Sequence, residues 1–448
     1  MNKFWTYLNE PIDIASLVFF RIGFGIMMLI EVCRYVNFNW VEKYWIDPVF
    51  FFTYEGFHWV QPWDGNGMYL HFFALGILAI FITLGLFYRF STIAFFVGFS
   101  YIFLLDKANY LNHFYLIMLF SFLLCFIPAH RYFSIDSRLN PKIHSSKIAR
   151  WCLWILVFQL GVVYFYGGIA KINPDWLNGE PMRKWILDSA DFPIIGKYFT
   201  QSWAAYFFSY SGLLLDLLIV PFLLWKRTRI FAFIAITLFH IINSQIFSIG
   251  IFPWLAIAAT TIFFEPDWIR KRINKFPSLT KKWHFAAPDN FQITPIKSGF
   301  KFFLILYIAV QLLVPFRHFL YPGNVNWTEE GHRFSWHMKL RDKVAKAKFV
   351  ATDLVTNESY DIPKGKYLSK RQRRKMENRP DMIRQYAMFL AKVYKIKEKK
   401  DVAITVNVKA SLNNRPYQVL IDPTVDLSKT NYGLERWDWI LPLDMGEE

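Results

Sequence analysis

Apolar residues in this chain come in long unbroken runs separated by short polar loops, a pattern unlike the alternation of a soluble fold. About 20 apolar residues span a bilayer. On that measure there are about nine candidate spans, near 15–36, 69–87, 90–105, 112–128, 150–170, 208–225, 229–247, 251–264 and 300–316. The eighth is short and follows its neighbour through Ser248-Ile249-Gly250, which leaves a broken helix open as an alternative. The first run begins near Leu17 with no small-residue cleavage site after it, and reads as a retained helix.

From about Tyr321 the pattern changes. Turn signals such as Pro322-Gly323 appear, and Val402-Ala403-Ile404-Thr405-Val406-Asn407-Val408 alternates as a half-buried strand does. The expected fold is an α-helical polytopic membrane protein, with a transmembrane bundle over residues 1–320. A small extracytoplasmic α+β domain follows over residues 321–448, built of strand pairs and one helix around Pro380 to Val393.

Composition sharpens this picture. The chain is 54% hydrophobic, 20% aromatic and 19% charged, a balance that excludes an ordinary soluble protein and makes the lipid bilayer its first partner. Its net charge of +17 lies largely in loops: Arg89, residues 131–150, Lys226 to Arg229, and residues 270–301. These fall on one side if the N-terminus is cytoplasmic and all nine runs span, which places the C-terminal domain outside. The remaining basic runs, Lys370 to Lys375 and Lys395 to Lys400, read first as a solvated face and second as a contact for anionic headgroups. No nucleic-acid partner is expected. Cys33, Cys125 and Cys152 sit in or beside apolar runs, and no CxxC or Cys/His spacing suggests a metal.

Three polar clusters interrupt the apolar context, where polar groups are costly enough to point to function. Lys171 closes the run Trp151 to Ala170, with Asn173, Asp175 and Trp176 just beyond it. Asn112-His113 opens the fourth run, and His240-Ile241-Ile242-Asn243-Ser244-Gln245 ends the seventh. Each has a plainer reading: a snorkelling lysine anchor, a helix cap with a satisfied histidine, and interhelical hydrogen bonds. All three ends are expected at one level of the membrane. Gly167-Gly168 before Lys171 gives neighbouring helices room to approach. Apolar burial disfavours a charged amine, so a buried Lys171 would be a competent base. No phosphate loop, GxSxG elbow or HExxH motif is present to suggest the commoner enzyme classes.

The segment Tyr164-Phe165-Tyr166-Gly167-Gly168-Ile169-Ala170-Lys171-Ile172-Asn173-Pro174-Asp175-Trp176-Leu177-Asn178-Gly179 resembles the active-site segment of vitamin K-dependent γ-glutamyl carboxylases. Phe239 to Gly250, Asn112-His113, His130 to Asp136, Asn326-Trp327-Thr328, Phe334-Ser335-Trp336, Gln385-Tyr386-Ala387 and Asp422 to Asp426 resemble further blocks of that family, in family order. The shorter form is similar to its bacterial homologues of the horizontally transferred transmembrane domain type. The resemblance implies that a base deprotonates a vitamin K hydroquinone (phylloquinol or menaquinol), whose oxygenation by O2 gives a strongly basic species. That species removes a γ-proton from glutamate in a peptide or protein substrate, CO2 traps the carbanion, and the quinone leaves as its epoxide. Lys171 matches the family's catalytic lysine and His113 the histidine that supports the strong-base step. The block from His240 through Asn243, Ser244 and Gln245 would line the quinone pocket, with Asn112, Tyr166, Asp175, Trp176 and Trp336 as further binding residues. Two other readings stay open: a quinol epoxidase without protein carboxylation, and a noncatalytic membrane binding or transport protein.

Overall fold

The computed structural model describes residues 2–193, 195–247, 249–275, 295–430 and 437–445. Ser248 and residues 276–294 of the basic loop lie outside the described residues. A helix stands at each of the nine predicted runs. These are α1 (Ala15–Asn37), α2 (Gly67–Leu84), α3 (Tyr88–Leu105), α4 (Asn112–Phe126), α5 (Trp151–Ile169), α6 (Ser202–Leu224), α7 (Arg229–Phe247), α8 (Phe252–Thr260) and α9 (Ser298–Leu313).

Seven are long and apolar enough to cross a membrane, while α4 and α8 are shorter. The 15 residues of α4 rise only about 23 Å against a hydrocarbon core of about 30 Å. Among the described residues, the expected nine spans therefore resolve into seven full-length ones and two short helices buried in the bundle. The interruption before α8 has a local cause, since Gly250 takes φ +74° and Pro253 lies in the helix's first turn.

At one end of the bundle, buried Arg21 of α1 donates to the carbonyls of Ala129 (3.0 Å) and Phe133 (2.6 Å). Asp136 accepts from the backbone N–H groups of Phe87 (2.8 Å) and Tyr88 (2.9 Å), and so caps the start of α3. Gly85 (φ +63°) lets this corner close, because a Cβ there would stand 2.5 Å from Arg21 Nη1 and from Ser134 Cβ. Strands β1 (Pro11–Asp13) and β2 (Lys147–Ala149) pair antiparallel at the same end, where Asp13 is bridged to Arg270 at 2.7 Å.

The other end carries a four-stranded antiparallel sheet in the order β4-β3-β5-β6, with β3 (Lys343–Asp353), β4 (Ser359–Asp361), β5 (Val402–Leu412) and β6 (Gln418–Ile421). Alternate residues of β3 and β5 point inward: Ala345, Ala347, Phe349 and Ala351 from one, and Val402, Ile404, Val406, Val408 and Ala410 from the other. Helix α11 (Pro380–Val393) covers that face with Met382, Ile383, Tyr386, Ala387 and Leu390, at helical spacing.

A second helix, α10 (Lys370–Glu377), stands where the sequence reads as a solvated charge run. Ser369 and Gln372 form a capping box, and Gln372 Nε2 also donates to Asp106 Oδ2 (2.9 Å) and to the Phe50 carbonyl (2.7 Å). Arg371 reaches Asn109 Oδ1 at 2.9 Å. This basic helix thus docks the sheet domain on the bundle, and its charges are only partly solvated.

Candidate active site

Lys171 lies just beyond the end of α5, in a short turn that Asn173 shapes by accepting the Trp176 N–H at 3.0 Å. Its ammonium folds back rather than out. Nζ donates to the Gly167 carbonyl at 3.0 Å and to Asp216 Oδ2 of α6 at 2.5 Å. Lys171 is 6% exposed and Asp216 5%, so the pair is almost wholly desolvated. Trp176 closes one side, with its ring centroid 5.4 Å from Nζ and its indole N–H fixed on the Ser209 carbonyl at 2.8 Å. A lysine held this way is not the lipid-facing anchor of the plainer reading.

The pair opens on a cavity of about 310 Å³, near the lower end of the range for small-molecule sites, about 300–1,000 Å³. Its wall is chiefly aromatic and aliphatic, with Trp176, Phe207, Phe208, Leu215, Leu238, Phe239 and Phe252, while Lys171, Asp216, His240, Asn243 and Ser211 contribute polar atoms. His240 Nε2 and the Tyr164 hydroxyl lie 3.0 Å apart, which fixes the imidazole at the wall. Met338 and Lys339 close the mouth from the loop before β3, and Lys339 Nζ stands 4.9 Å from the Phe247 ring and 5.5 Å from that of Trp185. Within this loop Glu329, Phe334, Trp336 and Lys339 all take positive φ (+64°, +65°, +58° and +50°), a concentration of strained backbone of the kind found at functional sites.

Two comparisons with protein families bear on this arrangement. The HTTM domain matches residues 9–268, and the lumenal domain of vitamin K-dependent gamma-carboxylase matches residues 297–446. Together they cover the bundle, the cavity and the sheet domain. The chain belongs to the gamma-glutamyl carboxylase family. No solved structure matches it.

The carboxylase-family site residues expected from sequence do not all converge. Lys171, Trp176, His240 and Asn243 line the cavity. His113 stands one ring behind it, stacked on Phe252 (5.7 Å, 27°), which in turn makes a T-shaped contact with His240 (5.6 Å, 89°). Asn112 does not reach the cavity; it accepts from the Tyr110 hydroxyl (3.0 Å) and donates to the His337 carbonyl (3.0 Å), tying α4 to the loop that carries Trp336. Trp336 is buried against Tyr115 (4.9 Å, 30°), away from the cavity wall. Tyr166 turns to the Leu312 carbonyl of α9 (2.6 Å).

Asp175 makes a two-pronged bridge to Arg415 (2.6 and 2.9 Å) and accepts from Asn413 (2.6 Å), holding the turn between β5 and β6. Ser244 bonds the Ile241 carbonyl (2.7 Å) and Gln245 donates to Ser244 (3.3 Å), and neither lines the cavity. These side chains point to other faces of their helix ends, where they bond neighbouring groups or face outward, which adjacency along the chain cannot reveal.

Two charged cavity residues escaped the sequence reading. Asp216 is a lone carboxylate in the middle of the run 208–225, and that placement alone is a signal of function or of a buried partner. Lys339 carried no such signal, because only the fold of its loop brings it to the mouth.

Gly168 permits the close approach that forms the pair. A Cβ there would lie 2.7 Å from the Leu217 side chain and 3.1 Å from its backbone nitrogen. Gly168→Ala should therefore force α5 and α6 apart and cost about 1–3 kcal/mol, seen as a lowered thermal midpoint in detergent. An unchanged midpoint would show that the two helices need no such contact.

Proposed function

We propose that this integral membrane protein couples oxygenation of a vitamin K-type hydroquinone to γ-carboxylation of glutamate residues, with Lys171 as the base. The observation that carries the reading is the desolvated Lys171–Asp216 pair at the floor of an apolar cavity. A phylloquinol or menaquinol ring fits such a wall, since the site offers apolar surface for the ring and a few fixed polar atoms for its oxygens. When bound, the quinol supplies with O2 a base strong enough for the glutamate γ-C–H, and CO2 adds to the carbon so exposed.

The chain's own part is proton transfer and exclusion of water. Nζ of Lys171 can pass one proton to Asp216 Oδ2 at 2.5 Å, and would then be the group that accepts a proton from a bound hydroquinone. That transfer would restore the Lys171 ammonium and leave Asp216 neutral, so the ammonium would offset the negative charge left on the bound group and total charge would be conserved. Electrostatic support of this kind counts for most in a dry site, and the aromatic wall provides one. His113 acts on the site through the Phe252 ring and orients His240 rather than touching the quinol. Lys339 at the mouth is placed to meet the glutamate carboxylate, because the nearby Asp342 is already paired with Lys184.

We further read residues 1–320 as the membrane unit and 321–448 as an extracytoplasmic domain, with a cytoplasmic N-terminus. The gathering of basic loops at the end of the bundle opposite the sheet supports that orientation.

The test is turnover by purified protein given phylloquinol or menaquinol, O2, labelled CO2 and a glutamate peptide. Epoxide and labelled peptide formed together are the expected result. Epoxide without label would reduce the function to quinol oxidation, and neither product would overturn the reading.

A further inference from the structure

The exposed face of the sheet holds a second feature that the quinol chemistry does not use. Lys346 of β3 and Lys409 of β5 stand directly opposite each other in the antiparallel register, both exposed. Like charges in that position weaken a sheet, because their Cβ atoms are only about 4.5–5.5 Å apart. Beside them, Lys348 faces Asn407, and Lys364 follows β4. These four lysines, with Asp361 and Tyr417 among the other residues, line a groove of about 750 Å³. Asp361 neutralises Lys348 at 2.8 Å, and no ion pair neutralises Lys346, Lys364 or Lys409 among the described residues.

The groove and the cavity are also close along the chain. Asp342, just before β3, is bridged to Lys184, and the neighbouring Trp185 lines the cavity mouth. Lys346 is four strand residues further on, about 13 Å at the rise of an extended chain. A polypeptide lying along the groove would need only about four residues to bring a side chain to that mouth.

We propose that this lysine face docks an acidic, glutamate-rich stretch of polypeptide, holding it in extended form while one of its glutamates enters the cavity. The inference rests on the proposed carboxylation for its choice of glutamate. The face itself argues for a peptide over an anionic membrane surface: Lys346 and Lys348 stand two residues apart on β3, the spacing of same-side groups on an extended chain, and the four lysines line a concavity. The cost of the Lys346–Lys409 opposition is then the counterpart of an anion-binding role.

Binding is measured directly on the full-length protein in detergent, without quinol, from the fluorescence anisotropy of a long labelled glutamate-rich peptide. The expected result is saturable binding that weakens at high salt, and that weakens about tenfold in the double variant Lys346→Glu, Lys409→Glu. Lys409→Glu alone should keep or raise the thermal midpoint, because it converts a repulsive cross-strand pair into an attractive one. Peptide binding by this single variant should also weaken, and a weaker affinity at a kept midpoint separates lost docking from lost folding.

Equal affinity in wild type and double variant would overturn the proposal, as would equal affinity for a glutamine version of the peptide. Adsorption of wild type to anionic vesicles with no peptide binding would overturn it in favour of a lipid surface. Peptide binding holds or fails whether or not carboxylation is observed, so the two readings fail separately.

Discussion

Lys171→Ala should abolish quinol turnover, a loss of at least about 10²–10⁴-fold if the amine is the base, and it should also weaken the fold. Reading the chain alone gives no reason for the second effect, since a lysine at the end of an apolar run looks replaceable. The geometry supplies the reason. Nζ is the partner 2.5 Å from a carboxylate that is 5% exposed, and removing one member of a buried pair leaves an uncompensated charge that costs about 3–5 kcal/mol.

The two effects separate in the double variant Lys171→Met, Asp216→Asn. Replacing both charges removes the penalty, so the thermal midpoint should return to near the wild-type value while turnover stays lost. Turnover within tenfold of wild type in that folded double variant would remove Lys171 from the chemistry. Failure of the midpoint to recover would show that the pair is not the source of the instability.

Asp381→Ala should be the most damaging single change outside the membrane. Its carboxylate receives Lys107 Nζ (2.8 Å) from the bundle and Arg333 Nη1 and Nη2 (2.8 and 3.3 Å) from the loop before β3, all buried or nearly so. Substitution leaves Lys107 and Arg333 close together without the carboxylate between them, at about 3–5 kcal/mol. The sheet domain should then loosen on the bundle, read out as protease cleavage between them and a lower midpoint in wild-type detergent. A variant with unchanged midpoint and cleavage pattern would show that other contacts hold the domain.

The same group gives the stability a pH dependence. Burial alone would raise the Asp381 pKa, but Arg333 and Lys107 outweigh it and hold the carboxyl well below the usual range. Because the folded value lies below the unfolded one of about 3.9, the stabilisation is fully present above about pH 4 and fades as acid protonates the native carboxylate. Wild type should lose its midpoint steeply on acidification below that point. The Asp381→Asn variant should lose less of it.

Much of the fold was legible without coordinates. Nine apolar runs place nine helices, because every backbone group at membrane depth must be satisfied within its own segment. The alternation at Val402 to Val408 places β5, and the apolar spacing after Pro380 places α11. Less legible were the elements whose identity depends on a partner. Lys370 to Lys375 looks like a solvated charge run, yet Gln372 and Arg371 find Asp106 and Asn109 on the bundle. Runs α4 and α8 look like spans because they are apolar, yet they are short, and only their burial among longer helices explains how so short an element can be so greasy.

For the site, the sequence by itself determined the chemistry available and its level: an amine at the end of α5, imidazoles at the ends of α4 and α7, and an apolar setting for them all. What it could not determine is which of these groups face one another. Residues adjacent in the chain point to different sides of a helix, so Asp175 and Trp176 part company, one to Arg415 and the other to the cavity. Residues 45 positions apart, Lys171 and Asp216, meet at 2.5 Å because Gly167 and Gly168 let α5 and α6 close on each other. Spacing along one helix can be read from periodicity, whereas the register between two helices is set by side-chain packing across them, and that only the tertiary structure decides.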